Sequence, residues 1–392
     1  GSDRQRNANV IRLEKKGINV FIGHSPQDCT NIDMLVHSTA IKADNPAIMA
    51  AQKAGIPVLT RAEVLAQIMR PYSTIAVSGT HGKTTTTSLV AQALETLDPT
   101  VLNGGIINTY GSNIRIGHNK WMVVEADESD GTFVKIPTTI AVITNIDPEH
   151  LDYYKTFGVL KEKFKQFIGQ VSDDGFALLC YDHPIVRELS LQETTRKMLT
   201  YGLDENADVR GINIRPQEMD TVFDVHFKGT PAALMQDVFV PMHGKHNIQN
   251  TLAAIAVAHQ LGVSSKTLRD SLAQFQGVQR RFTKRGEALG MHIIDDYAHH
   301  PTEIEAALET AREVTKGKII AIFQPHRFSR LQDLYKEFLE SFKDADHLLL
   351  TPVFTAGEQP IENVNSEIFC QDLAKKQQKN ALYCKDFDTA TK

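Results

Sequence analysis

Residues 74–94 constrain this chain more than any other stretch. An apolar strand, Thr74–Val77, runs into Gly79-Thr80-His81-Gly82-Lys83-Thr84-Thr85, and a long helix, Thr84–Leu94, runs out. Glycines let backbone N–H groups close around phosphate oxygens, and a helix N-terminus adds unpaired donors and a positive dipole end. Lys83 can neutralise phosphate charge, and Thr84 or Thr85 can offer a hydroxyl to Mg²⁺. The spacing departs from GxxxxGK[ST], because Gly79 lies only three residues before Gly82. The competing reading is a glycine turn beside a chance lysine. Strand, turn and helix standing in register favour a phosphate site.

A strand of this kind needs parallel neighbours covered on both faces. The rest of the chain supplies them. Trp121–Ala126 and Ile140–Thr144 are continuous apolar runs, and helical and strand signals alternate from end to end, which predicts an α/β architecture. At 392 residues the chain exceeds the roughly 250 to 300 that one core serves, so two or three domains are expected.

The pattern restarts at Pro71 and again near Gly277, giving segments 1–70, 71–277 and 278–392. The first reads as a partial Rossmann-like unit. It has a polar helix stopping at Gly17, strands Ile18–Ile22, Met34–His37 and Ile56–Leu59, and a helix opened by Thr60 and Glu63 at capping-box spacing. Helices Asn247–Leu261 and Ser264–Phe275 end at Gly262 and Gly277, where a left-handed cap is wanted. The third segment predicts helix Thr302–Val314 with Thr302 and Glu305 as its box and Gly317 as its stop. Strand Ile319–Phe323, helix Leu331–Phe342 and strand His347–Thr351 follow.

Composition excludes several classes. A net charge of −5 leaves no electrostatic footprint for nucleic acid. No apolar run approaches the ~20 residues that span a bilayer, and Leu252–Ala258 reads as a buried helix. The four cysteines form no CxxC pair, and the N-terminus shows no signal pattern, so a soluble protein of the reducing cytoplasm is expected.

Open α/β sheets place ligands at the carboxyl ends of their strands. Glu125, ending the strand from Trp121, is a natural Mg²⁺ ligand, and His150, in the stretch after Thr144, is a candidate for a second ion. Arg327 and Arg330 lie three apart at the turn into a helix, so both can point one way and grip a carboxylate. His299 and His326 could orient substrates or take a proton from an amine.

Taken together, Ser78–Thr87, Asn103-Gly104-Gly105, EADESDGTF (125–133), TNIDPEHLD (144–152), GKHNIQN (244–250), QRRF (279–282), DDYAHHPTE (295–303) and QPHRFSR (324–330) resemble the Mur ligase family. The last two stretches resemble its members that add L-alanine to UDP-N-acetylmuramate. The resemblance implies three domains: a Rossmann-like UDP-sugar domain, a P-loop ATPase and a Rossmann-like amino-acid domain. It implies ATP and Mg²⁺, and an acyl phosphate formed on the sugar acid before the amine attacks. Carried onto this chain, Gly79 to Thr85 and Lys83 would hold phosphates. Thr84 and Glu125 would hold one Mg²⁺ and His150 a second. Asn247, Asn250 and Arg281 would meet the nucleotide, and His37, Ser38 and Thr39 the UDP-sugar. Arg327 and Arg330 would bind the amino-acid carboxylate, and Lys83, His150, His299 and His326 would serve the chemistry.

The resemblance also implies that family elements precede residue 1 and follow Lys392, and that the connections at 94–99, 172–174 and 230–231 are shortened. Many relatives use a carbamylated lysine where Phe164 stands here; the L-alanine-adding members lack it. A sister enzyme that recycles peptides shares the phosphate loop and DDYAHHPTE, but EADESDGTF and QPHRFSR favour the amino-acid-adding group. Folylpolyglutamate synthases match only the ATPase layout. A P-loop switch is disfavoured because no NKxD motif is present.

Overall fold

The computed structural model of the chain describes residues 1–29, 31–38, 41–192, 196–229, 234–377 and 380–390. Three α/β lobes follow one another. The first is small. It pairs β1 (Ser2–Asp3) with β2 (Phe21–Ile22) and β3 (Leu35–His37) with β4 (Val58–Thr60), both parallel, beside α1 (Ala8–Lys15), α2 (Pro46–Lys53) and α3 (Arg61–Met69). The expected capping box opens α3: Glu63 N–H donates to Thr60 Oγ1 at 3.3 Å, and Thr60 N–H donates to Glu63 Oε2 at 2.9 Å. The strand expected over Ile18–Ile22 shrinks to its last two residues.

The second lobe is built on one ten-stranded sheet. Its strands are β5 (Ser73–Ser78), β6 (Thr100–Ile107), β7 (Ser112–Arg115), β8 (Trp121–Glu125), β9 (Ile140–Ile143), β10 (Phe176–Cys180), β11 (Met198–Gly202), β12 (Val209–Pro216), β13 (Thr221–Phe227) and β14 (Leu234–Val240). They lie in the order β14-β13-β12-β11-β10-β9-β5-β8-β6-β7. The run from β6 to β12 is parallel, whereas β13, β14 and β7 add antiparallel edges. Ile75, Ala76 and Val77 of β5 are wholly buried, as a strand covered on both faces requires.

The covering helices are α4 (Lys83–Ala93), α5 (Leu151–Tyr154), α6 (Phe157–Gly169), α7 (Pro184–Ser190), α8 (Lys245–Gln260) and α9 (Ser265–Leu272). The alanine-rich run Leu252–Ala258 is buried in α8, which packs along α4. Gly262, just after α8, has φ of 80°, the left-handed cap expected there; Gly277 is also left-handed at 77°, but the helix before it ends at Leu272 with Ala273 as its cap, so Gly277 turns the following loop and caps no helix. Phe164 is a core residue, tilted against Phe133 with ring centroids 5.0 Å apart.

The third lobe opens with an antiparallel hairpin, β15 (Thr283–Ala288) and β16 (Met291–Asp295), absent from the sequence reading. It continues through α10 (Pro301–Val314), β17 (Ile320–Phe323), α11 (Phe328–Asp333), α12 (Tyr335–Phe338), β18 (His347–Leu350), α13 (Ser366–Gln377) and β19 (Asn380–Tyr383). Strands β17, β18 and β19 form a parallel sheet around Phe323, Phe338, Phe342 and Phe369. Three expectations need correction. The box of α10 is His300 with Glu303, not Thr302 with Glu305, because Pro301 takes the first helical position. That helix ends at Val314 with Thr315 extended, so Gly317 is not its cap. The helix expected over Leu331–Phe342 breaks at Leu334 into α11 and α12. Among the described residues, no helix is long and apolar enough to cross a membrane.

Candidate active site

Strand β5 lies between β8 and β9, all parallel, so their carboxyl ends deliver residues 79–82, 125–128 and 144–150 to one place. Gly79 has φ 138°, and a Cβ there would sit 2.9 Å from the Asn145 carbonyl oxygen. No other residue fits that approach. The tail of β9 then fixes the loop. His81 N–H donates to Asn145 Oδ1 at 2.7 Å, Asn145 Nδ2 donates to the His81 carbonyl at 3.0 Å, and Thr144 Oγ1 donates to the same carbonyl at 2.6 Å. Asp147 N–H donates to Thr80 Oγ1 at 2.8 Å.

Lys83, first residue of α4, donates to the carbonyls of Gly79 at 2.7 Å and Thr80 at 3.0 Å, and to Glu128 Oε1 at 3.0 Å. Glu128 is 1% exposed. Burial pushes its carboxyl up to about 7, against the pull of Lys83. Burial works against the ammonium of Lys83, yet Glu128 and then Glu125 hold its pKa above the ordinary lysine value. Glu125 accepts from Gly104 N–H at 2.8 Å, and a Cβ on Gly105 would press on Thr84 Cγ2 at 2.9 Å. The Asn103-Gly104-Gly105 stretch of β6 thus lies against both Glu125 and Thr84, the expected first-ion pair.

His150 stands with Nε2 3.7 Å from Glu128 Oε1 and 3.9 Å from Glu149 Oε2. Burial lowers its pKa, which leaves the neutral ring that a metal accepts. Ligand atoms of Glu128, Glu149 and His150 all lie within 4.8 Å of one another. Two carboxylates and an imidazole suit a divalent cation that prefers oxygen, so the residues present fit Mg²⁺.

The third lobe closes on this centre. Glu303, at the start of α10, lies 3.4 Å from His81 Nδ1 and 3.8 Å from Arg281, and accepts from His299 N–H at 3.1 Å. Arg330 donates to Glu149 Oε1 at 3.0 Å and to His326 Nδ1 at 3.2 Å. Rings of His299 and His326 are 5.7 Å apart. Arg327 differs from its expectation. It caps α11 with φ 73° and ψ 138°, a strained backbone for a non-glycine residue, so helical spacing does not align it with Arg330. Its Nε is buried without a hydrogen-bond partner.

A cavity of about 710 Å³ beside the loop is lined by His81, Gly82, Thr85, Asn247, Asn250 and Arg281, among others. Asn250 also braces α4, accepting from Thr86 Oγ1 at 2.9 Å. Asn247 Nδ2 donates to the His243 carbonyl at 2.8 Å. His37 ends β3 and Ser38 follows it in the first lobe, outside the contacts just described; Thr39 lies outside the described residues. The sequence reading missed Glu128, Glu149 and Glu303 as site residues. All three sit inside motifs it quoted, and Glu128 and Glu149 follow strand ends of the sheet.

Three families match consecutive parts of the chain: "Mur ligase family, catalytic domain" over residues 1–73, "Mur ligase middle domain" over 77–258 and "Mur ligase, glutamate ligase domain" over 280–392. A UDP-N-acetylmuramate–L-alanine ligase of Rhodopseudomonas palustris (strain BisB18) is 52% identical over 378 residues, covering 95% of this chain and 81% of that protein. One from Brucella anthropi is 50% identical, covering 98% and 83%. The solved UDP-N-acetylmuramate–alanine ligase of Thermotoga maritima superposes with a TM-score of 0.81 at 27% identity, covering 98% of this chain and 84% of that one. A murein peptide ligase of Psychrobacter arcticus shares the fold, with a TM-score of 0.72 at 22% identity over 100% and 86%. With its glycine loop, its acidic and histidine cluster and its three matched segments, this chain belongs to the Mur ligase family.

Proposed function

We propose that the chain is an ATP-dependent ligase that joins L-alanine to UDP-N-acetylmuramate in cytoplasmic peptidoglycan synthesis. Domains at 1–70, 71–277 and 278–392 would serve the UDP-sugar, the nucleotide and the amino acid. One observation carries this reading: Lys83, the Glu128–Glu149–His150 cluster and Arg330 of the third lobe are joined by direct contacts. The names of the relatives at about half identity supply the substrates.

In the first step the sugar-acid carboxylate attacks the γ-phosphorus of ATP, and the bond to the β,γ-bridging oxygen breaks, giving acyl phosphate and ADP. Two anions must meet, so the loop amides and Lys83 stabilise charge that spreads over the phosphoryl oxygens. Mg²⁺ held by Thr84 and Glu125, and a second ion held by His150, would supply further neutralisation there. In the second step the alanine amine attacks the acyl carbon and phosphate leaves.

The amine must lose a proton, and we assign its uptake to His299. Its Nδ1 lies 2.8 Å from the Tyr297 carbonyl, which fixes the hydrogen on Nδ1 and leaves Nε2 as the acceptor. Glu303, 3.3 Å from the same ring, stabilises the imidazolium that forms. His326, lowered to about 4 by burial and by Arg330, stays neutral and orients the substrate. Arg327 and Arg330 receive the carboxylate of alanine.

The test is phosphate release with each substrate supplied separately. Release should need UDP-N-acetylmuramate and an amino acid together, with L-alanine above L-serine and glycine. Lys83→Ala should abolish turnover and leave UDP-sugar binding intact. ATP hydrolysis indifferent to both substrates would overturn the reading.

A further inference from the structure

Arg330 is already engaged in this structure. It donates to Glu149 Oε1 at 3.0 Å, and the two side chains are only 12% and 11% exposed. Glu149 belongs to the cation cluster as well. Its Oε2 lies 3.9 Å from His150 Nε2, and its ligand atom is within 4.8 Å of those of Glu128 and His150. One carboxylate therefore faces a guanidinium from the third lobe and, on its other side, the place in the second lobe that a cation held by Glu128, Glu149 and His150 would take. Little water reaches the pair, so the two attractions compete with little screening. A cation drawn to Glu149 weakens its hold on Arg330, and by linkage Arg330 weakens the cation to the same degree.

We propose that Glu149 is a positioning residue that holds Arg330 in reserve and releases it toward the amino-acid carboxylate when a divalent cation takes the glutamate. This rests on the reading of Arg330 as a carboxylate-binding arginine. It goes further by making amino-acid affinity depend on cation loading through one named side chain. The handover suits the chemistry. An arginine offered to L-alanine only once the cation is in place would stop the amino acid from filling a cleft that cannot yet make the acyl phosphate. His326 keeps its contact with Arg330 at 3.2 Å, so the released guanidinium pivots on that histidine and stays in the cleft.

The direct test needs no turnover. Mn²⁺ binding to the whole chain is followed by electron paramagnetic resonance in the unchanged protein, in Arg330→Met, in Glu149→Gln and in the double variant, with circular dichroism confirming folding. Arg330→Met should tighten Mn²⁺ about fivefold, at the low end of measured site-to-site couplings. The same change should do nothing in the Glu149→Gln background. Arg330→Lys, which keeps the charge, should leave Mn²⁺ affinity near that of the unchanged protein. An equal shift in both backgrounds, or none in either, overturns the proposal. A second measurement reads the handover itself. The KM for L-alanine should fall as free Mg²⁺ rises in the unchanged protein and stay flat in Glu149→Gln; a flat KM in the unchanged protein also overturns it. Because the Mn²⁺ cycle uses neither L-alanine nor ATP, its outcome stays separate from failure of the ligase reading.

Discussion

His300 shows how much one residue can be asked to do. It caps α10 by accepting from Thr302 N–H through Nδ1 at 3.3 Å, which requires an unprotonated nitrogen there, and its Nε2 is buried without a partner. Burial, then the neighbouring His81, lowers its pKa to about 4. The sign follows. Between about 6.5 and 4 the unfolded chain binds a proton at this position that the folded chain refuses, so stability is full above that window and falls with pH inside it. Thermal melts from pH 7 to 4.5 should lose on the order of 2 kcal/mol through this residue. His300→Asn keeps a capping acceptor and removes the titration, so its melts should decline less over the same range; parallel curves would show that the ring is not the source. Glu149 and Glu128 teach a different lesson at this scale. Their motifs were visible in the chain, but a carboxylate that pairs with a lysine forty-five positions away, or with an arginine one hundred and eighty-one away, leaves no local trace in composition or period.

At the scale of elements, α4 and α8 set the glycine loop of residues 79–82 in place. Asn250 accepts from the buried Thr86 hydroxyl at 2.9 Å and would meet any side chain placed on Gly82 at 2.9 Å. Asn250→Ala should therefore cost roughly 1–3 kcal/mol, the penalty of a buried hydroxyl left without a partner. Adding Thr86→Val should cost less than the sum of the two changes, because the second removes the group that the first orphaned; denaturant melts of the four proteins decide, and strict additivity would deny the link. Elements like these were legible because their signals are local. The glycine loop lies between an apolar strand and a helix, Thr60 and Glu63 have box spacing, and Leu252–Ala258 is apolar on every face. The hairpin of β15 and β16 was not legible. Its turn at Leu289-Gly290 lacks an Asn-Gly or Asp-Gly pair, and its strands expose Met291 and Ile293, so polar and apolar residues do not alternate cleanly. Helix Leu331–Phe342 read as continuous because its apolar spacing is unbroken. The break at Leu334, with φ −111° and ψ 24°, has no glycine or proline to announce it.

Across the whole molecule, the second and third lobes meet through charged pairs. His81 reaches Glu303, Arg330 reaches Glu149, and His243 reaches Glu313 at 2.8 Å. Such pairs contribute little where water screens them, but apart from Glu313, 42% exposed, these side chains are largely enclosed, and breaking an enclosed pair leaves a charge without compensation. Glu303 is the most connected of them. It closes the capping box of α10, meets His81 of the glycine loop and lies 3.3 Å from the His299 ring. Those roles separate chemically. Glutamine can still accept from the His299 and His300 amides and so keep the box, but it cannot stabilise a positive imidazole. Glu303→Gln should therefore melt within a few degrees of the unchanged protein while kcat falls roughly tenfold to a hundredfold, part of what a positioned base contributes. Glu303→Ala should lose both stability and rate. If the glutamine variant turned over at the normal rate with a normal KM for ATP, Glu303 would be only a helix cap, and the loop, the base and the third lobe would have no common carboxylate through which to act.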